Sequence, residues 1–131
     1  KSLNEDGILI LELAGGPGMI KTMKERSQFN HRKYGQYTYI WDQESFDPIT
    51  HDAKYSIHFK LKNGKIFKNV FTYDWRLWTI PEIYDALIDA GFKCAHTYWD
   101  VEINGEATGE YIRQTKGDNA FSWIAYVVGE K

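Results

Sequence analysis

The segment that most constrains the fold is an apolar run near the amino terminus. Residues Gly7 to Leu13 read Gly-Ile-Leu-Ile-Leu-Glu-Leu, without the polar alternation of a strand that has one wet face. Turn-forming residues precede the run, and the cluster Ala14 to Gly18 follows it. Short apolar runs with such boundaries are typical of strands covered on both faces, as in parallel sheets. The sequence therefore predicts a strand in the middle of a sheet.

Composition limits the class of protein and its partners. The 131 residues are enough for one domain, and the 16 basic and 18 acidic side chains give a formal net charge of −2. This balance lacks the basic excess of a nucleic-acid binder, and the apolar run is too short to cross a bilayer. We therefore expect neither nucleic acid nor a membrane as partner. A single cysteine forms no internal disulfide, so we expect a cytoplasmic protein.

Aromatic residues make up 16% of the chain and fall on predicted antiparallel strands between about residues 36 and 74. Tyr37, Tyr39 and Trp41 alternate with other residues, so they share one face of a strand. A later run with the same alternation is followed by Asn63-Gly64, a strong hairpin signal. A two-residue turn there predicts the strand partners Leu61–Ile66, Ile57–Val70 and Tyr55–Thr72. That register places Phe67, Phe71 and Tyr73 on the face opposite to these partners.

One helix is well marked. Thr79 followed by Glu82 forms a capping box, Pro81 is favoured in the first turn, and Gly91 ends the helix with Phe92 folding back on it. The remaining elements are less sharply marked. We predict a short helix over Met19–Phe29, a strand over Lys93–Ile103, a loop over Asn104–Asp118 and a last strand over Phe121–Val128.

Two motifs suggest ligands but lack the spacing that such ligands need. The cluster Gly15-Gly16-Pro17-Gly18 has neither the last glycine of a dinucleotide fingerprint nor the Gly-Lys-Ser/Thr of a triphosphate loop. The cluster either lines a pocket or simply forms a turn. Cys94 and His96 point the same way on a strand, but no further ligand with metal-site spacing is visible. We therefore expect no metal site.

The densest group of chemical side chains lies between the last strand of the aromatic region and the capped helix. Asp74, Trp75, Arg76 and Trp78 occur within five residues. Arg76 could hold a carboxylate or phosphate in bidentate fashion, and the indoles could form walls. The alternative is that the tryptophans are core and the two charged residues lie on the surface. The sequence leaves both open.

The order of these pieces resembles the class I S-adenosylmethionine-dependent methyltransferases. The segment Leu3 to Glu12 resembles the opening of that family's fifth strand. The string from Trp78 to Ile83, then Leu87 and Asp89-Ala90-Gly91-Phe92, resembles the family helix that leads into the sixth strand. An antiparallel seventh strand ends the family's domain, as residues 122–128 would here. The resemblance implies an α/β fold: the carboxyl-terminal half of a Rossmann-like sheet with an inserted antiparallel ribbon. Taken as an isolated chain, the pattern is that of an α+β protein with a mostly antiparallel sheet.

The resemblance covers only the distal half of the family's domain. The family holds its donor, S-adenosylmethionine, mainly with the first half, which has no counterpart in these residues. The resemblance therefore implies one domain or partial domain from 1 to 131, no cofactor-binding residue in this chain, and no activity of the chain alone. It also implies that the first strand exposes an edge through which the chain could form a homo-oligomer.

The resemblance implies that the acceptor side of the site lies in this chain. The partner is then a small-molecule methyl acceptor, and Asp74 is the candidate base. The candidate substrate-binding residues are Gly15, Gly16, Tyr39, Trp41, Tyr73, Trp75 and Arg76. The alternative is a stand-alone ligand-binding module of the α+β class with an aromatic-lined pocket.

Overall fold

The computed structural model describes residues 3–103 and 106–131, with the side chain of residue 106 left aside. These residues form eight strands and one helix in two compact units: residues 1–19 with 77–131, and residues 20–76. The strands are Ile8–Gly15 (β1), Met23–His31 (β2), Gly35–Phe46 (β3), Asp52–Leu61 (β4), Ile66–Arg76 (β5), Cys94–Ile103 (β6), Glu106–Gln114 (β7) and Trp123–Glu130 (β8); the helix is Ile80–Asp89 (α1).

Every strand pair within the described residues is antiparallel. The strands form two four-stranded sheets, one in each unit. The expectation of an α/β, Rossmann-like sheet is therefore wrong: the described chain is nearly all β, with a single helix. An apolar run does not reveal strand direction, because direction is set by the partner strand and not by the run itself.

In unit one (residues 1–19 and 77–131) the sheet order is β1-β8-β6-β7. Among the described residues β1 pairs with β8 alone, so it lies at the edge of this sheet and not in its middle. Ile8 and Ile10 are 53% and 55% exposed, whereas Leu13 is buried. The run is apolar on both faces, but the part of the chain that the structure describes covers only one of them.

The helix begins and ends as predicted. The Thr79 side chain accepts a hydrogen bond from the Glu82 N–H, and the Glu82 carboxylate accepts one from the Thr79 N–H at 2.8 Å. Gly91 has a φ of 90°, and the Phe92 N–H donates to the Leu87 carbonyl at 3.0 Å. Leu87 forms the core of unit one together with Leu13 and Val127 of the sheet. The apolar side of α1 thus packs against residues of β1, β6 and β8.

Two other predictions of local structure are wrong. The segment predicted as a helix from Met19 to Phe29 contains β2, whose residues after Met23 are all exposed. The predicted loop 104–118 contains β7, which pairs with β6; residues 104 and 105 lie outside the described part of the chain. Both strands are polar edge strands, so their pairing depends on a neighbour and not on an apolar pattern of their own.

Unit two (residues 20–76) is a four-stranded meander in the order β2-β3-β4-β5. The predicted register of the β4–β5 hairpin is wrong by one residue: Tyr55 pairs with Tyr73, and Ile57 pairs with Phe71. A bulge then puts three residues of β5 opposite His58, and the middle one, Asn69, has a φ of 50°. Because a one-residue shift moves side chains to the other face, the β5 aromatics join those of β4.

The helix spans ten residues. Within the described residues, no helix is long and apolar enough to cross a membrane.

We predict that Leu87→Ala lowers the free energy of unfolding by about 2–5 kcal/mol, because it leaves a cavity under α1. The neighbouring Ile88 is 52% exposed, so Ile88→Ala should cost less than about 1 kcal/mol. Urea denaturation followed by circular dichroism measures both. Equal losses in the two variants would contradict the packing of α1 described above.

Candidate functional site

One face of the sheet in unit two is covered by aromatic rings. The strand registers place alternate residues of β2, β3, β4 and β5 on this face. We call it the aromatic face; its rings in mutual contact are those of Phe29, Tyr37, Tyr39, Trp41, Tyr55, Phe59, Tyr73 and Trp75. It combines the three β3 aromatics, which the sequence placed on one face of their strand, with β5 aromatics that the sequence placed on the face opposite to Tyr55 and Ile57.

The rings at one end of the aromatic face pack around Trp41. The indole of Trp41 stacks on Tyr55, with ring centroids 5.2 Å apart, and Trp75 lies 5.3 Å from Tyr55 and 4.8 Å from Tyr73. The Trp41 indole N–H donates to Gln43 at 3.1 Å, and the Gln43 amide donates to the backbone carbonyl of residue 21 at 2.7 Å. Hydrogen bonding therefore fixes the orientation of the ring at the centre of this cluster.

An open cavity of about 850 Å³ lies where β3, β4 and β5 come together at this end of the sheet. Its volume is in the range of small-molecule sites. It is lined by Ser45, Phe46, Asp47, Pro48, Thr50, Asp52, Ala53, Lys54, Asp74, Trp75 and Arg76. The cavity thus brings together three residues that sequence reasoning proposed for one site.

Hydrogen bonds within the β3–β4 connection hold one wall of this cavity. The Asp47 carboxylate accepts from the backbone N–H groups of Ile49 and Thr50, at 2.8 and 3.2 Å. The His51 N–H donates to the Asp47 carbonyl at 2.8 Å, and His51 has a φ of 62°. These bonds form an Asx-type turn that gives the connection a defined shape.

The charged residues of the cavity alternate in sign across the β4–β5 ladder. Arg76 is directly opposite Asp52, and Asp74 is opposite Lys54, with 3.8 Å between the Lys54 Nζ and Asp74 Oδ1 atoms. The Asp74 side chain is 81% exposed, so this ion pair adds little stability. Both charges can therefore be redirected to a polar ligand at small cost to the fold.

The remaining predicted site residues lie in two places. Tyr39, Trp41 and Tyr73 are on the aromatic face, and Trp75 belongs to both that face and the cavity. Desolvation, followed by the charges of Tyr73 and Glu25, raises the pKa of Tyr39. Its phenol keeps its proton at neutral pH and can donate a hydrogen bond.

Gly15 and Gly16 belong to unit one, where both have a packing role. A Cβ atom on Gly15 would lie 2.2 Å from the Trp123 ring. Gly16 has a φ of 97°, and a Cβ atom there would lie 2.7 Å from the Phe121 carbonyl oxygen. Glycine is therefore required at these positions by the left-handed backbone of Gly16 and by the close approach of Trp123 and Phe121. The role of both glycines in an acceptor site stays a prediction.

Sequence reasoning missed a buried polar network on the other face of the unit-two sheet. Ser56 is fully buried, and Asp42 and His58 are less than 10% exposed. The His58 Nε2 atom lies 3.1 Å from Asp42 Oδ2 and 3.3 Å from Ser56 Oγ, and the Ser56 hydroxyl lies 2.6 Å from the Glu44 carboxylate. Lys24 Nζ contacts Asp42 Oδ2 at 2.6 Å.

The geometry of this network is structural and not that of a catalytic triad. The His58 Nδ1 atom accepts a hydrogen bond from the Asn69 backbone N–H at 2.8 Å, so the Nε2 atom carries the proton of the neutral ring. That proton faces Asp42, and no lone pair is left to accept a proton from Ser56. A triad needs the acid and the nucleophile on different ring nitrogens. The ring instead ties the bulge in β5 to strand β3.

The sequence feature that could have indicated this network is the alternation of polar and apolar residues along β3 and β4. Asp42 and His58 occupy positions on the polar faces of their strands, but only the β3–β4 register brings them to neighbouring positions. That register depends on the connection between the strands and on an irregularity within β3, between Gln43 and Ser45. The sequence alone did not specify it.

The electrostatics of the network predict a pH dependence of stability. Burial by itself raises the pKa of Asp42, but hydrogen bonds from Lys24 and His58 outweigh it and hold the pKa below the ordinary value of 3.8. The stabilisation is therefore present above that value and is lost as the pH falls from about 5 through the folded-state pKa. Asp42→Asn should lose about 1–3 kcal/mol at pH 7 and show a weaker decline with acid.

Urea denaturation between pH 3 and pH 7 measures this effect. The exposed Asp74 offers a matched control, since Asp74→Asn should keep the acid profile of the unchanged protein. An Asp42→Asn profile parallel to that of the unchanged protein would show that Asp42 is not ionised within the network.

Comparisons with protein-family models, with curated proteins and with solved structures found no match for this chain.

Proposed function

We propose that this chain supplies the methyl-acceptor side of an S-adenosylmethionine-dependent methyltransferase that acts on a small or medium metabolite. In this proposal residues outside this chain hold the donor, so the chain alone is inactive. A cytoplasmic location is part of the proposal, because the single cysteine forms no internal disulfide and calls for no oxidising compartment.

The arrangement of strands in unit one is the observation that carries this proposal. The resemblance implies a strand, a glycine-containing loop, a capped helix, a further strand and an antiparallel last strand. In unit one, α1 leads into β6, and β8 pairs antiparallel with both β1 and β6. Strands β1 and β6 therefore run in the same direction on either side of β8. This order supports the proposal without requiring a parallel pair within the chain.

The open edge of β1 supports the proposal that a further strand, from outside this chain, pairs with β1. Within the described residues β1 pairs on one side only, and the outer side chains Ile8 and Ile10 are exposed. An apolar edge strand offers a row of unpaired backbone groups to a further strand. We assign this edge to the donor-binding part of the enzyme; a second copy of this chain is the other occupant that the edge would accept.

The acceptor is assigned to unit two, on the cavity and the adjoining part of the aromatic face. Methyl transfer is an in-line displacement at a sulfonium, so the protein mainly aligns the reactants and excludes water. Aromatic rings suit both tasks, because they shield the reacting centre and their faces attract positive charge. Trp75 lines the cavity while touching Tyr55 and Tyr73, so it joins the cavity to the ring cluster.

Two charged residues have proposed roles in this site. Arg76 would hold a carboxylate or phosphate of the acceptor, which its guanidinium matches in bidentate fashion. Asp74 would accept a proton from the acceptor, provided that the ligand displaces Lys54 from its 3.8 Å contact. Water reaches the Asp74 side chain freely in this structure, so a bound acceptor must exclude it before Asp74 can act.

A second candidate function is a ligand-binding module without catalysis. The observation that favours it is the exposure of large apolar side chains in unit two, among them Phe29 at 48% and Phe71 at 54%. Exposed aromatic residues grouped on one sheet face mark a binding surface. In this case a ligand with flat apolar faces would bind without any methyl donor.

The proposal predicts that this chain alone does not bind the donor. Isothermal titration with S-adenosylmethionine should show no saturable binding at micromolar concentrations, because the donor-holding residues are assigned elsewhere. A micromolar dissociation constant for the isolated chain would contradict that assignment.

The second prediction concerns the acceptor. In the natural polypeptide that contains this chain, Arg76→Ala should lower kcat/KM for the acceptor about 10- to 100-fold, because a charge-assisted contact is lost. The dissociation constant of the donor should not change. Transfer of a labelled methyl group from S-adenosylmethionine to a panel of carboxylate- and phosphate-bearing metabolites measures the first quantity.

Lys62→Ala is the matched control, since Lys62 is a basic residue in the β4–β5 turn and does not line the cavity. It should leave kcat/KM unchanged. A loss of donor binding in Arg76→Ala would remove Arg76 from the acceptor site. Saturable quenching of tryptophan fluorescence by a metabolite, with no methyl transfer to it, would favour the non-catalytic module.

A further inference from the structure

A second group of chemically reactive side chains lies in unit one, on the face of the sheet away from α1. Cys94 and His96 are two residues apart on β6, so their side chains share one face. Glu130 of β8 is the direct partner of Cys94 in the ladder and therefore adds a carboxylate to the same face. Gly129, whose missing side chain makes room for Leu87, faces the helix instead.

The three side chains converge to within bonding range of one ion. Cys94 Sγ lies 3.5 Å from His96 Nε2 and 3.6 Å from a Glu130 carboxylate oxygen, and His96 Nε2 lies 3.5 Å from the other oxygen. One ligand atom from each residue lies within 4.8 Å of the other two. Tetrahedral zinc with ordinary Zn–S, Zn–N and Zn–O lengths places its ligand atoms about 3.3–3.6 Å apart. A modest rotation of the Glu130 carboxylate therefore completes the geometry.

We propose that Cys94, His96 and Glu130 form a binding site for a zinc ion. Thiolate, imidazole and carboxylate are all zinc ligands, and three protein ligands leave the fourth tetrahedral position to water. On binding, the Cys94 thiol proton leaves to solvent and the sulfur lone pair bonds to the ion, while His96 binds through its neutral Nε2 lone pair. No electron is transferred and no other bond breaks.

The surroundings of the three side chains permit entry of an ion. The His96 side chain is 17% exposed and that of Glu130 is 51% exposed, so the site opens to solvent and its carboxylate is free to rotate. Lys93 and Arg113 act electrostatically on Cys94 and favour its thiolate form. Desolvation and the Glu130 carboxylate act more strongly in the opposite sense and raise the pKa of the Cys94 thiol. Binding of the ion releases the thiol proton to solvent, because the thiolate is the form of cysteine that binds a metal.

The sequence concealed this site because its third ligand is 34 positions away from His96 in the chain. Spacing rules detect ligands that are close in sequence. The antiparallel pairing of β6 with β8 brings Glu130 opposite Cys94. An ion there would join the start of β6 to the end of β8, and it would stabilise unit one because it binds the folded state.

Cobalt is the probe for the test, because a cobalt–thiolate bond gives a charge-transfer absorption band in the near ultraviolet. The chain has one cysteine, so such a band can arise only at Cys94. With untagged protein, titration with Co²⁺ should give a band that saturates at one equivalent and disappears when Zn²⁺ is added. Zinc in excess should raise Tm by about 5 °C.

Variants distinguish a site formed by all three side chains from metal binding by the Cys94 thiol alone. Cys94→Ser should abolish the band, and His96→Gln and Glu130→Gln should each weaken cobalt affinity about tenfold or more. His31→Gln is the control for a histidine in the other unit and should bind like the unchanged protein. Far-ultraviolet circular dichroism checks that each variant is folded.

Two results would overturn the proposal: absence of the band in the unchanged protein, or a band of unchanged affinity in both His96→Gln and Glu130→Gln. In either case the three residues would form only a hydrogen-bonded surface cluster. The zinc site does not depend on the acceptor site, since its ligands lie in unit one and the acceptor residues tested above lie in unit two.

Discussion

The bulge in β5, held by His58, is the constraint on which the candidate acceptor site depends. Asn69 has a positive φ, and its backbone N–H donates to the His58 ring. The bulge adds two residues to β5 at this point, so that Phe71 pairs with Ile57 and Phe67 pairs with Phe59. Because two residues are one full period of a strand, the side chains keep their faces, but the pairing beyond the bulge is shifted, so that Asp74 lies opposite Lys54 and Arg76 opposite Asp52. The His58 ring is oriented in turn by Asp42.

The two faces of the unit-two sheet therefore have different tasks. One face carries a buried polar network whose hydrogen bonds fix the register between β3, β4 and β5. The other carries the aromatic rings; Trp75 belongs to this face and also lines the cavity, whereas Asp74 and Arg76 alternate with it along β5. A buried network with all its groups satisfied specifies one arrangement of strands. The polar face thus positions the residues that the aromatic face offers to a ligand.

Unit one shows how the same antiparallel pairing serves different purposes. The pairing of β8 with β1 and β6 buries Leu13 and Val127 under α1 on one face. On the opposite face it places Glu130 against Cys94 and His96. Gly129 precedes Glu130 and lies on the helix side of the sheet. A side chain at position 129 would displace Leu87 and Phe92.

Local signals in the sequence determined the elements whose causes are local. The capped helix followed from Thr79, Glu82 and Gly91, since a cap is made by residues within one or two turns of each other. The shared face of Tyr37, Tyr39 and Trp41 followed from alternation along one strand. The sequence also brought Asp74, Trp75 and Arg76 together, because they are neighbours on β5.

Only the tertiary structure decided the direction, register and partners of the strands. It placed the apolar first strand at an edge, turned two polar segments into the strands β2 and β7, and moved the β5 aromatics to the face predicted to lack them. It also joined Asp42 to His58 and Cys94 to Glu130. Each of these depends on hydrogen bonds between backbone segments far apart in the chain, and the pattern within one strand does not specify its partner.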